Sequence, residues 1–529
     1  MMQRFKPIFL LAPLAALLIA AAPSAMPGAT PDRADRLAQA AALVDNGKPA
    51  EALAILDPLL AESDLPADKG QVEGLRSFAL ARIGKFAEAR AAIELAVDSA
   101  LNPTPLLLRQ LFVLRAITGD VNGAAQTLQL VAESNPKWLA ELPHALIADV
   151  QRTTASDEQR SFDLAYTLVA AGYSPPDETV SDGDALRLAV IAGLAKRDRL
   201  EDAKPIIAAL INTANIARLA IDRRYQSLWP ALEARLGPSA DTADAAFIAA
   251  AEQKLAARPQ SIVARAGVAE ALNIASKEPE ALERIKDIGA TPEALAKMTN
   301  RELWTMNLKA ALLSDAGRTD EALAVLDAVA GLPAEGRPNT LAFRIIAADM
   351  AEEAGRHADA LARVVAAESS DLNDYGKQAL AGIRVCALAR SGKMAEAQKI
   401  ALPAGWTKEG NNRALQAAFS CLGRLDAAAA VLIKRLDDES SRDDALFELQ
   451  PFLINDRPNA SDKLTKAVLR ALKARPDVKA AFLKHGRDLP AAIAPPRYRR
   501  NRSRSSNFST LPAGLRGRAV TISRRVGSL

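Results

Sequence analysis

From Ala81 to Val97 the chain reads ARIGKFAEARAAIELAV, with Ala89, Ala92, Ile93, Ala96 and Val97 recurring at three- and four-residue steps. That spacing places the apolar side chains on one stripe of a helix, with Arg90 and Glu94 away from it. Gly84 interrupts the preceding apolar run, and a glycine can close a helix in the left-handed conformation without a Cβ penalty. Glu88 then falls in the first turn of the next helix, where a carboxylate meets the positive end of the dipole. The pattern predicts two helices joined by a tight turn at Gly84.

The same signature recurs along the chain. A glycine followed five residues later by alanine occurs at Gly47 and Ala52, Gly84 and Ala89, Gly119 and Ala124, Gly317 and Ala322, Gly355 and Ala360, Gly392 and Ala397, and Gly423 and Ala428. Neighbouring glycines within 47–119 and within 317–423 are 31 to 38 residues apart. RDRLEDA around Asp198 and SKEPEAL around Ser276 keep the pattern without the glycine. Acids recur at the start of the second helix, at Glu51, Glu88, Asp320, Asp359 and Glu396. The alanine has no bulk, so two helices can approach there. One hairpin cannot hide its own apolar stripe, whereas stacked hairpins hide it between neighbours.

These glycine–alanine pairs, with Phe86 two residues after Gly84 and prolines at Pro66, Pro103, Pro136 and Pro333, resemble the tetratricopeptide repeat (TPR) family. The resemblance is clearest over 35–135 and 300–435. It implies an all-α fold, a right-handed α-solenoid of stacked antiparallel helix hairpins, with the first helix of each pair lining the concave face. The aromatic two after glycine is replaced by Pro49, Val121, Thr319, His357, Met394 or Leu425, which implies looser or different packing there. At least eight hairpins are expected, in an N-terminal array over 31–240 and a C-terminal array with cap helices over 241–490. SDKLTKAVLRALKARPDVKAAFLKHG reads as the two last helices, the second opened by Pro476 and ended by Gly486, forming a polar end cap.

Composition agrees with many small helices: 49% of the 529 residues are hydrophobic but only 4% aromatic. Arg4 and Lys6 precede a 15-residue apolar run, Ile8 to Ala22, and then small residues. That layout is expected to be a secretory signal peptide over 1–25, directing the chain to the periplasm; the alternative is an uncleaved anchor, for which the run is short of the roughly 20 residues a membrane span needs. The formal charge of +4 is carried by the end of the chain, where 495–529 holds nine arginines and no acid, so the remainder is mildly acidic. The Arg-rich segment 491–529 is expected to be disordered, either an anion-binding tail for nucleic acid or lipopolysaccharide or a segment without a role.

No catalytic constellation is expected. His144, His357 and His485 lie far apart, and there is no HExxH, G-x-S-x-G, phosphate loop or CxxC, so neither cofactor nor metal is implied. Glu-Ser pairs, as in cell-wall transglycosylases, lack the glycine-rich sequence expected downstream. Cys386 and Cys421 fall on helices expected about 8–10 Å apart, which favours two half-buried free thiols over a disulfide, although an exported protein could keep one. The family register places Trp304, Asn307, Asp315, Asp349, Glu352, Arg390 and Arg413 on the concave face. That mixture of acid and base suits an extended peptide or a partner helix. The expected function is a non-catalytic scaffold of the bacterial cell envelope. The alternatives are an anionic-polymer binder acting through the tail and, less favoured, a cell-wall hydrolase.

Overall fold

A computed structural model describes residues 31–174, 179–333, 340–368, 370, 372–402, 410–451 and 460–494. The expected signal peptide, 1–25, and residues 495–529 of the basic tail lie outside the described residues. The regular elements among the described residues are helices, apart from one isolated bridge, and the chain divides into two units, Met1–Pro176 and Asp177–Leu529.

The first unit is a run of hairpins. Helix α1 (Pro31–Asp45) pairs with α2 (Pro49–Ala61), α3 (Pro66–Arg82) with α4 (Phe86–Asp98), α5 (Pro105–Ile117) with α6 (Val121–Ser134), and α7 (His144–Thr154) with α8 (Glu158–Ala170). Each also packs on the next in sequence, so α2 meets α3 and α4 meets α5. Leu56, Leu75, Ile93 and Leu114 are almost completely buried in the seams, each worth about 1.5–3 kcal/mol against exposure. Proline opens α2, α3 and α5, where its missing N–H costs nothing.

The turn at Gly84 shows how a hairpin is made. Its φ is +82°, the Lys85 N–H donates to the Leu80 carbonyl at 3.0 Å, and the Ala89 N–H donates to the Lys85 carbonyl at 2.9 Å. The first bond closes α3 and the second begins α4. The same closing bond occurs at Gly47, Gly119, Gly317, Gly355, Gly392 and Gly423, all at positive φ. The two copies lacking glycine keep the geometry: Asp198 has φ +54° and Ser276 φ +59°, with Arg199 bonded to Leu194 and Lys277 to Leu272. Gly172, not expected from the sequence, makes the same turn after α8. The following alanines, Ala52, Ala89, Ala124, Ala322, Ala360, Ala397 and Ala428, are all fully buried, as are Ala203 and Ala281 in the glycine-free copies. The repeat signature is a packing rule: each alanine methyl is enclosed where two helices meet.

The second unit begins irregularly, with α9 (Asp182–Lys196), α10 (Lys204–Ala208), α11 (Thr213–Ile221) and α12 (Trp229–Leu236). Hairpin stacking resumes through α13 (Asp241–Ala257), α14 (Ile262–Ile274), α15 (Glu278–Ile285), a short α16 (Pro292–Lys297), α17 (Trp304–Asp315) and α18 (Thr319–Ala330). It continues through α19 (Thr340–Glu353), α20 (His357–Glu368), α21 (Asp374–Arg390), a single turn α22 (Met394–Ala397), α23 (Asn412–Cys421) and α24 (Leu425–Asp437). Then come α25 (Arg442–Glu448), α26 (Ala460–Ala474) and α27 (Pro476–His485). The first helices α19, α21 and α23 lie side by side.

Two expectations are corrected here. Cys386 and Cys421 form a disulfide, with Cα atoms 5.2 Å apart. Helices α21 and α23 come closer than ordinary helix neighbours because Gly382 faces Ala414: a Cβ on Gly382 would lie 3.1 Å from the Ala414 carbonyl oxygen. The last two helices are also not a free end cap. Gly486 bridges Asp222, the Arg487 N–H donates to the Ile221 carbonyl at 3.0 Å, and the Ser239 N–H donates to the Ala492 carbonyl at 2.9 Å. Arg487 also donates to the Ala220 carbonyl (2.8 Å) and Glu233 (2.5 Å), and its guanidinium stacks 3.6 Å over the Trp229 ring. The second unit therefore closes on itself, and position 240, expected as an array boundary, lies within that closure.

Candidate functional site

The seven residues expected on the concave face separate into two groups. Trp304 and Asn307 do not present an open surface. Every residue from Thr305 to Leu313 is buried, because 278–298 packs across the other side of α17. The Trp304 ring lies 5.1 Å from Phe343, and Asn307 is 2% exposed, with an amide nitrogen that finds no hydrogen-bond partner. Lys309, on the same helix, is folded inward to the carbonyls of Lys286 (2.6 Å) and Ile288 (3.0 Å), and burial lowers its pKa. Asp315 is half-exposed at the end of α17, and Asp349 is half-buried on α19.

Glu352 and Arg390 pair with each other, and Arg413 belongs to a second charged cluster, with Glu353 acting on both Glu352 and Arg413. Arg390 at the end of α21 donates to Glu352 at the end of α19 over 2.6 Å. Glu352 is only 5% exposed; burial pushes its pKa up to about 7 despite Arg390, and neighbouring Glu353 adds to the rise. Arg390 also donates to the hydroxyls of Ser461 (2.7 Å) and Thr465 (3.1 Å) on α26, and the Ser461 hydroxyl donates to the Glu352 carbonyl at 3.3 Å. The nearby imidazole of His357 has its pKa lowered by burial and by Arg390.

Arg413, in the first turn of α23, looks onto charges brought from elsewhere in the unit. Burial opposes its charge, but Glu448, Asp444, Glu353 and Tyr375 outweigh this and raise its pKa. Asp444 is paired with Arg218 of α11 at 2.7 Å, and Asp443 lies 3.4 Å from the same guanidinium, which also covers the Phe447 ring at 4.5 Å. Glu448 is paired with Arg435 at 2.9 Å, and Arg435 reaches Gln416 at 2.5 Å. Burial raises the Asp443 pKa and the adjacent Asp444 adds to it; in Asp444 burial is overcome by Arg218 and Arg413, and its pKa falls. Yet the side chains of Asp443 and Asp444 keep 45% and 33% of their exposure. These two acids are held by a cation from α11 and still reach the surface. Such a cluster suits recognition of a charged chain segment, since ion pairs against protein are screened less than those in open water.

No family model and no curated protein matches the chain. Among solved structures it is similar to one of Naa15/Naa10 bound to HypK-THB, at 14% identity over 86% of this chain and 79% of that one, with a TM-score of 0.23. A likeness at that score leaves the architecture resting on the helix-by-helix packing described above.

The residues missed by sequence reasoning are Arg218, Asp443, Asp444, Arg435 and Glu448. Arg218 and Asp443 are separated by 225 positions, and nothing in a local pattern pairs them. Among the described residues, no group of three His, Cys, Asp or Glu side chains could hold a metal ion, and no helix is long and apolar enough to cross a membrane.

Proposed function

We propose that this chain is an exported, non-catalytic scaffold of the cell envelope that binds a peptide or partner helix along the face of α19, α21 and α23. The observation that carries it is the charged cluster in which Arg218 pairs with Asp444 and Asp443 and Arg435 pairs with Glu448, with the acids raising the Arg413 pKa, while the two acids of α25 stay accessible. Its side chains are held by ion pairs to other elements, which positions charge without placing a nucleophile beside a base. Export is supported by the leader-like pattern before residue 26 and by the Cys386–Cys421 bond, which persists in an oxidising compartment.

The test is crosslinked co-purification of the full chain from an envelope fraction, comparing the natural sequence with Arg413→Ala and with Asp349→Ala. A partner recovered with the natural chain and depleted at least about tenfold with Arg413→Ala supports the reading, since truncating one buried charged contact costs a binding partner more than 1.4 kcal/mol. Equal recovery from all three chains removes it.

A further inference from the structure

The ridge formed by Glu352 and Arg390 is already occupied by the chain's own helix α26. The contact is polar: the Arg390 guanidinium donates to two hydroxyls four residues apart, Ser461 and Thr465, and Ser461 returns a hydrogen bond to the Glu352 carbonyl. Four-residue spacing is one helical turn, so both hydroxyls sit on the same side of α26. Apolar burial contributes little at this end. Leu464 is 54% exposed, Ala467 and Ala471 are exposed, and Val468 and Leu469 are only half-buried. The far end of the helix is different: Leu472 is fully buried, and Lys473 donates to the Leu449 carbonyl at 2.9 Å and lies 4.3 Å from the centre of the Phe482 ring. Helix α26 is thus anchored at its C-terminal end and held at its N-terminal end mainly by polar bonds, in which Ser461 is itself buried (4% exposed), so that another acceptor replaces them only as the first turns lift away.

We infer that the first turns of α26 stand in, within the chain, for the partner helix, and that the partner carries carboxylate or hydroxyl acceptors four residues apart on one face. A carboxylate competes well against Ser461 and Thr465, because its bond to the guanidinium is charged on both sides and can be bidentate. The inference rests on the partner-binding reading above and supplies the chemistry of the partner. It also assigns α26 an autoinhibitory role, in which binding begins with release of its N-terminal half.

The probe is a labelled peptide of residues 460–475, added to the full chain in its natural form, as Ser461→Ala/Thr465→Ala, and as that double variant with Arg390→Lys. Lysine keeps the charge beside Glu352 but loses the fork that reaches both hydroxyls. The expected result is peptide binding at least about tenfold tighter to the double variant than to the natural chain, and lost again with Arg390→Lys. Hydrogen exchange in 461–468 should speed up about tenfold in the double variant while 478–485 stays unchanged. Equal peptide binding to all three chains, binding to none, or unchanged exchange in 461–468 overturns the inference. If the peptide behaves as expected but crosslinking recovers no partner, the scaffold reading fails while the self-contact stands.

Discussion

Breaking the Cys386–Cys421 bond should destabilise the second unit by about 4 kcal/mol. The cysteines are 35 positions apart, and closing a loop of that length in the unfolded chain removes roughly 13 cal/mol/K of entropy, or about 4 kcal/mol at room temperature. The loop contains α22, reduced to one turn, and the whole of α23, so the short second helix of this hairpin offers little packing to resist opening. The close approach permitted by Gly382 and Ala414 should survive reduction, since it is set by backbone contact and not by sulfur. The assay is urea unfolding of the full chain, oxidised against reduced, with Cys386→Ala/Cys421→Ala as the control, and hydrogen exchange over 412–421 read in parallel. Exchange protection there should fall by between about 10² and 10³, the factor that 3–4 kcal/mol corresponds to if local opening is what exposes it. A loss below about 1 kcal/mol, together with two thiols that titrate in the native protein made under oxidising conditions, would refute both the bond and the close approach that explains it.

Further outcomes follow from the turns, the buried acid and the closure. Gly84→Ala meets no atom within 4 Å, so only its backbone suffers, with an expected loss of about 1 kcal/mol by thermal or urea unfolding; Ser276→Gly relaxes a strained residue and should gain a similar amount. Glu352 is raised from 4.5 to about 7, so the folded state holds its proton more tightly than the unfolded one; its contribution to stability is greatest below pH 4.5 and is lost as pH rises through 7. Glu352→Gln should therefore leave stability unchanged at pH 4 and raise it at pH 8 by up to about 3 kcal/mol, measured as urea midpoints across pH. Arg487→Ala removes two charge-assisted hydrogen bonds and a cation–π contact, and should cost about 2–4 kcal/mol while accelerating hydrogen exchange over 219–236; unchanged exchange there would contradict the closure.

The parts of this fold that were legible in the sequence are those built from neighbours in the chain. Gly84 and Ala89 report a turn and a close contact made within six residues, and the same reasoning held where Ser276 replaces the glycine, because the left-handed turn is demanded by the hairpin and the glycine only makes it cheaper. Gly172 was missed because the alanine five residues later is absent: position 177 is aspartate. The expectation of free thiols treated α21 and α23 as average helix neighbours and overlooked that Gly382 has no side chain, and Ala414 only a methyl, to hold them apart. Trp304 and Asn307 were placed by register on a face that 278–298 covers, and no periodicity in α17 distinguishes a helix open on one side from one enclosed on both. The charged cluster was only partly visible: Arg390 and Arg413 lie on α21 and α23, but their surroundings come from α11, α25 and α26, whose approach is a property of the closed unit.

That closure changes how the second unit could be lengthened. An open row of hairpins tolerates duplication or loss of one member, since each touches only its neighbours and the far end simply moves. Once Arg487 must meet Trp229 and Gly486 must reach Asp222, adding or deleting a single hairpin between them would leave the two ends out of step by a whole module. Engineering that inserts a consensus hairpin should therefore succeed among α1–α8 and fail between α13 and α24.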